Sequence, residues 1–342
     1  MKTIFPALLI AGVCALGGCG SRTIRIDLVP SDSRLEPQVI ESADVPWWTC
    51  DKVAMVTVSG TISNSRSSDL LSSGPNKVSD FRETLDTIAQ DPMVKAVVLR
   101  INSPGGTVTG SAMMYHDLQE FKKKSGKPVV TCMMDVCASG GYYLSCASDY
   151  RIAYPTTITG SIGVIMETVN INGTLKYIGV ATEAVKSKPN KDMGSPFKPA
   201  VSMDKPLTEN DRALLQAIVN QFYDGFKDVV KASPQHIKEA DWDTVTDGRV
   251  VTGKDALPYG LIDEVGDIDK AIAKAKSLAH IEHARVITYS RSDDAKSSVY
   301  ANSPTAGQPQ VNVLNLNLDL GDLIPRGKSE FLYLWTGFGS EE

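Results

Sequence analysis

Histidine is scarce in this chain: the 342 residues hold four, His116, His236, His280 and His283. A serine or cysteine nucleophile ordinarily takes histidine as its proton acceptor. His116 sits in a helical stretch, and His280 and His283 fall in a polar segment, so all four read as solvated or structural. Lysine is then the better candidate base. Also missing are a His/Cys set at zinc spacing and a phosphate-loop motif, so no metal or organic cofactor is expected. The formal net charge of −5 argues against nucleic acid as a partner. No internal repeat is detectable, and each motif below occurs once.

The 42% hydrophobic and 22% charged residues suit a soluble α/β domain with a sizeable core. At the N-terminus, Lys2 precedes an apolar run from Ile4 to Leu16, too short to span a bilayer comfortably but suited to a secretory signal. The run ends in Leu16-Gly-Gly-Cys19, small residues and then a cysteine, similar to the bacterial lipoprotein cleavage box. Residues 1–18 are therefore expected to be a lipoprotein-type signal peptide and Cys19 the lipidated first residue of the mature chain. An ordinary signal peptide and an uncleaved anchor are the alternatives. Residues 19–50, broken by Pro30, Pro37 and Pro46, read as a tether. The expected location is the cell envelope, membrane-anchored and facing the periplasm or the exterior; Gly20 after Cys19 leaves the choice of membrane open. Of Cys50, Cys132, Cys137 and Cys146, three surround an apolar turn, where small core thiols are the better expectation.

From Val53 a strand opens the globular region, expected to span residues 51–290. Helices near 80–90 and 108–124 alternate with apolar, β-branched runs at Lys95–Ile101 and Pro128–Met134. Such alternation implies α/β architecture with a parallel sheet and right-handed crossovers. Glycine-rich turns follow both runs, Ser103-Pro104-Gly105-Gly106 and Ala138-Ser139-Gly140-Gly141. Adjacent glycines leave backbone N–H groups uncovered, so an oxygen gaining negative charge can approach them closely. A serine at a strand-to-helix turn projects its hydroxyl. Two such turns in successive units read as an oxyanion hole facing a nucleophilic Ser139.

Four motifs in order, Asn102-Ser-Pro-Gly-Gly106, Ala138-Ser-Gly-Gly-Tyr-Tyr143, Thr159-Gly-Ser-Ile-Gly-Val164 and Lys191-Asp-Met-Gly-Ser-Pro196, resemble those of the signal peptide peptidase A family of serine-lysine proteases. The similarity runs from about Lys52 to Ser290. It implies the Clp/crotonase-like spiral of β-β-α units with a parallel sheet and outer helices. It also implies Ser139 as nucleophile, Lys191 as general base and Ser161 as the serine that orients that lysine. The oxyanion donors it implies are backbone N–H groups at the Ser-Pro-Gly-Gly turn, Gly105 or Gly106, and at Gly140. Many members of the family are held by a transmembrane helix, so a lipid at Cys19 would be a departure.

A lysine acts as base only when neutral. With an ordinary pKa near 10.4, about one in a few thousand is neutral at pH 7, and a shift of about three units costs roughly 4 kcal/mol of differential solvation. Lys191 is therefore expected to lose exposure when an active assembly forms. The resemblance to half-length family members implies a homo-oligomer in which Ser139 and Lys191 meet across a subunit boundary. Substrates would be signal peptides or other hydrophobic, membrane-associated peptides. Thr208–Lys231 reads as an amphipathic helix with Leu214, Leu215, Ile218, Val219, Phe222 and Phe226 on one face.

Residues 291–342 form a tail with alternating apolar residues from Val313 to Leu320, then Phe331 to Trp335. It is expected to be partly disordered, or to add as a strand to a sheet edge or in the peptide groove. Two other function classes are a catalytically silent lipoprotein scaffold and a crotonase-like acyl-CoA enzyme, which shares the oxyanion geometry without a nucleophile.

Overall fold

The computed structural model describes residues 35–41, 45–46, 48–65, 68–69, 72–73, 76–202, 205–234, 236–290 and 331–336. The expected signal segment, Cys19 and the 313–320 alternation lie outside these residues. No helix among the described residues is long and apolar enough to cross a membrane.

In chain order, the elements that build the site are β1 (Glu36–Glu41), β2 (Lys52–Ser59), α1 (Lys77–Gln90), β3 (Val94–Ser103), β4 (Gly105–Thr107), α2 (Val108–Ser125), β5 (Val129–Ala138), α3 (Gly140–Ser145) and β6 (Tyr150–Ala153). They continue as β7 (Ile158–Gly160), β8 (Ile165–Met166), α4 (Glu209–Ala232), β9 (Val250–Thr252), β10 (Glu264–Val265), α5 (Ile268–Leu278), β11 (Arg285–Ser290) and β12 (Phe331–Leu334).

The main sheet runs β1-β11-β2-β3-β5-β6-β10, with β7 paired to the C-terminal end of β5 and β9 paired to β7. Its centre is parallel, with Val53 opposite Ala96 and Val97 opposite Val129. Only β1 on β11 and β9 on β7 are antiparallel in this sheet. This is a mixed α/β fold with a mostly parallel central sheet. Both faces are covered, which is why β2 and β3 read as nearly unbroken apolar runs. Alternate residues go opposite ways: Ala54, Val56, Leu99 and Ile101 join the larger core, while Val53, Met55, Ala96 and Val98 join the smaller one.

The helices follow from their caps and stripes. Asn76 Oδ1 accepts the N–H groups of Val78 and Ser79 to start α1, which buries Val78, Phe81, Leu85 and Ile88. Thr107 caps α2, and Gly126, left-handed at φ +68°, ends it. Those two helices cover the larger core, and α5 covers the smaller with Ile268, Ala271, Ile272 and Ala275. Burial of each Leu or Ile here stabilises by roughly 1.5–3 kcal/mol.

Residues 36–41, read from sequence as part of a tether, form β1 on the edge of the sheet. The apolar stripe of α4 is narrower than its sequence suggests: Leu215, Phe226 and Val230 are buried, but Leu214 is exposed. The described cysteines are free thiols, with Cys132, Cys137 and Cys146 buried and Cys50 exposed.

Candidate active site

Ser139 stands where β5 passes into α3. Its backbone lies at φ +52°, ψ −114°, a region disfavoured for a residue with a β-carbon, and its side chain makes no capping hydrogen bond. Neighbours hold it there: the Ser139 N–H donates to Gly160 O at 2.8 Å, and its carbonyl accepts the Tyr143 N–H at 2.8 Å. The short helix that follows is buried throughout, anchored by the Tyr142 hydroxyl donating to Leu261 O at 3.0 Å. Ser139 itself is 1% exposed.

Ser161 occupies the matching place one strand over. Ala138 pairs with Gly160, so both serines leave their strands at the same level. Ser161 also has φ +52°, and its N–H donates to Arg249 O at 2.7 Å.

The Ser-Pro-Gly-Gly turn closes over this point. Gly105, at φ +101°, leaves no room for a side chain, since a β-carbon there would lie 2.6 Å from Gly140 N. Its N–H is engaged by Ser103 Oγ at 3.1 Å, and that hydroxyl donates to Gly60 O at 2.7 Å. A β-carbon on Gly140 would strike Ser111 Oγ at 2.3 Å. Gly105, Gly106, Gly140, Ser139 and Ser161 are therefore brought together.

One occupant of the cleft comes from the chain's own tail. Strand β12 lies between β4 and β8, antiparallel to both, with Tyr333 opposite Gly106 and Leu332 opposite Ile165. The Trp335 N–H donates to Pro104 O at 2.9 Å. Two residues along, the alternation of antiparallel pairing makes Tyr333 and Gly106 a hydrogen-bonded pair. The Tyr333 carbonyl oxygen lies 2.0 Å from where a Gly105 β-carbon would be and 3.1 Å from where one on Gly140 would be. The Tyr333 ring is 3% exposed, stacked on Tyr143 at 5.2 Å and tilted against Phe226 at 4.7 Å; its hydroxyl donates to Phe222 O at 2.9 Å. Burial and the neighbouring Tyr143 raise the Tyr333 phenol above the ordinary tyrosine range. Burial pushes the Tyr143 phenol up to about 12. Both are neutral hydrogen-bonding groups at physiological pH.

Lys191 lies exposed on the short 3₁₀ turn Pro189–Asp192, and among the described residues its ammonium is bonded to neither Ser139 nor Ser161. All four histidines are exposed, His236 facing Asp263 and His283 facing Glu282. The thiols of Cys137 and Cys146 flank the Ser139 turn in sequence, but burial raises both pKa values, which keeps them protonated.

Sequence reading missed Ser103, Ser111, Tyr143, Phe222 and Phe226 as parts of this cleft. Ser103 lay inside a motif already singled out, and that was its signal. The two phenylalanines come from α4, far along the chain, where the apolar stripe marks a packing face but not which cleft it meets.

The model of peptidase family S49 matches residues 121–282. Protease 4 of Salmonella typhi is 34% identical over 245 residues, covering 70% of this chain and 37% of that protein. "Putative signal peptide peptidase SppA" of Enterococcus faecium is 34% identical over 238 residues, covering 70% of this chain and 67% of that one. A solved membrane-bound, stomatin-specific protease aligns with TM-score 0.46 at 16% identity, over 71% of this chain and 99% of that one. The chain thus spans little more than a third of Protease 4 and two thirds of the enterococcal protein, and it belongs to peptidase family S49.

Proposed function

We propose that this chain is a serine endopeptidase in which Ser139 is the nucleophile, Lys191 the general base and Ser161 the residue that orients the lysine. The observation that carries the reading is β12. An extended segment lies in the cleft by strand addition, its Tyr333 carbonyl oxygen against Gly105, Gly106 and Gly140, as a peptide to be cleaved would lie. Because the Gly105 N–H is already engaged by Ser103, the oxyanion donors are Gly106 and Gly140.

In the reaction, Ser139 Oγ attacks the carbonyl carbon while Lys191 Nζ takes its proton. The Gly106 and Gly140 N–H groups hold the oxyanion. As the C–N bond breaks, the ammonium returns that proton to the leaving amine. Water then attacks the acyl group, with Lys191 as base again, and Ser139 is released.

Lys191 is supplied from a neighbouring copy in a homo-oligomer, which fits its exposure beside a buried Ser139 and the lack of a bond between the two among the described residues. The aromatic pocket of Tyr143 and Phe226 favours a large apolar or aromatic side chain at the residue whose carbonyl is attacked. That suits hydrophobic, membrane-associated peptides such as cleaved signal peptides. A lipid on Cys19 would hold the enzyme at a membrane of the cell envelope.

The test is covalent labelling with a fluorophosphonate probe. Ser139 should be labelled in the wild-type chain, and labelling should vanish in Ser139→Ala and Lys191→Ala. Labelling that survives in both would overturn the assignment.

A further inference from the structure

Lys191 is exposed, yet the turn that carries it is held at both shoulders by one element. On one side, Asn210 Nδ2 donates to Asn190 Oδ1 at 3.0 Å. On the other, Lys198 Nζ lies 3.5 Å from Asp192 Oδ1 and donates to Asp211 Oδ2 at 2.6 Å. Asn190 and Asp192 flank Lys191, and Asn210 and Asp211 are consecutive residues in the first turn of α4. The turn's second carboxylate oxygen, Asp192 Oδ2, accepts from Lys186 Nζ at 2.5 Å. Asn210 thus bonds the position before the lysine directly, and Asp211 reaches the position after it through the Lys198 ammonium, which is ion-paired to Asp192.

The Asp211 end of this link is built expensively. Its side chain is 1% exposed, and its Oδ1 has no hydrogen-bond partner among the described residues. A buried carboxylate is costly unless paired, and a buried ion pair by itself adds little net stability. The Asp211 N–H is meanwhile spent on the Thr208 cap, so the carboxylate is tied to a rigid helix start. The hydrogen bond that Lys198 donates to Asp211, with the negative charges of Asp211 and Asp192 beside it, raises the Lys198 pKa and keeps it cationic, as the link requires.

We infer that Asn210, Asp211 and Lys198 are positioning residues for Lys191, fixing its turn on α4 so that the amine is presented at a set distance to the nucleophile it serves. This rests on the reading of Lys191 as the base. A general base displaced by about 1 Å loses on the order of a hundredfold in rate. The link therefore bears on kcat: it engages the first turn of α4, about three turns before Phe222 and Phe226, which that helix gives to the peptide cleft.

The experiment uses the full-length assembled protein and a fluorogenic hydrophobic peptide. It compares Asn210→Ala, Lys198→Met, Lys198→Arg and Lys191→Ala. Asn210 is exposed and loses one hydrogen bond, so that variant keeps its fold. Asn210→Ala and Lys198→Met should each lower kcat by about tenfold or more with KM within about twofold, and slow fluorophosphonate labelling of Ser139 in parallel. Lys198→Arg, which still reaches both carboxylates, should recover most of the loss. Wild-type kcat in Asn210→Ala and Lys198→Met would overturn the inference. So would a loss of kcat that tracks a loss of thermal stability and is not recovered by arginine. Full activity in Lys191→Ala would instead remove the base assignment itself, and the positioning role with it.

Discussion

Ser139 and Ser161 leave adjacent parallel strands side by side, each at φ +52°, and each is held there by an N–H bond to a neighbouring carbonyl, Gly160 O and Arg249 O. Two β-carbon-bearing residues in a glycine-favouring conformation at one point of a sheet are strain, and strain of this kind costs about 1–3 kcal/mol per residue.

That strain gives the first prediction. Ser139→Gly and Ser139→Ala both remove the proposed nucleophile and should each lower peptide turnover by at least about a thousandfold. Glycine also relaxes the backbone, whereas alanine keeps its strain. Ser139→Gly should therefore be more stable than Ser139→Ala by about 1 kcal/mol in urea unfolding, after the extra unfolded-state entropy of glycine is subtracted. A glycine variant less stable than the alanine variant would show that the φ of Ser139 is not a stored cost.

The tail gives the second. With Tyr333 filling the aromatic pocket and its carbonyl at the glycine turns, β12 competes with any peptide for the cleft. Burial of a ring of this size stabilises the docked strand by roughly 1.5–3 kcal/mol. Tyr333→Ala should empty the cleft and raise turnover of a short peptide by about tenfold or more at subsaturating substrate. Tyr333→Phe, which loses only the bond to Phe222 O, should do so by severalfold. Initial rates unchanged in both would mean that β12 does not occupy the cleft in solution.

Acid stability gives the third. Burial alone would raise the Asp91 carboxyl, but the Lys52 ammonium, the Met93 N–H and the Tyr289 hydroxyl together hold it below its ordinary value. A depressed folded-state pKa contributes stability that is present above the unfolded value, near 3.9, and is lost as pH falls through the folded one. Asp91→Asn should cost about 1–3 kcal/mol at pH 7. The gap between the variant and the wild type should close progressively below about pH 4. A gap that stays constant between neutral and strongly acidic pH would contradict this linkage.

Much of this architecture was legible because the parallel strands are buried on both faces and so spell themselves in β-branched residues, as Val53 to Ser59 does. The run at Lys95–Ile101 is longer in the fold than it reads. Asn102 and Ser103 are polar but bonded, Asn102 Oδ1 accepting the Val136 N–H and Ser103 Oγ donating to Gly60 O, so the strand continues to Ser103. Strand β1 was hidden for the opposite reason. It is a half-exposed edge strand carrying Pro37, and its partner β11 is at the far end of the domain, so no local pattern marks it. The glycine turns and Ser139 were readable from their motif. The pocket around Tyr333 was not, because Tyr143, Phe226 and Tyr333 meet only through tertiary packing.

Lys191 is exposed while Ser139 is buried, and among the described residues the two are not bonded, which leads to the last prediction. If each site takes its serine from one subunit and its lysine from the next, Ser139→Ala and Lys191→Ala chains should be individually inactive. Mixed assemblies contain boundaries where an intact serine faces an intact lysine. In a random equal mixture, a serine-competent subunit meets a lysine-competent neighbour at about a quarter of the boundaries, which sets the expected recovery near a quarter of wild-type activity. Co-purification through two different affinity tags establishes that the chains have mixed, and peptide turnover reads the recovery. If confirmed mixed assemblies stay at the background of the single variants, both groups must come from one chain. The 3₁₀ turn at Pro189–Asp192 would then have to move to Ser139, which the ties from Asn210 and Lys198 to its two shoulders oppose.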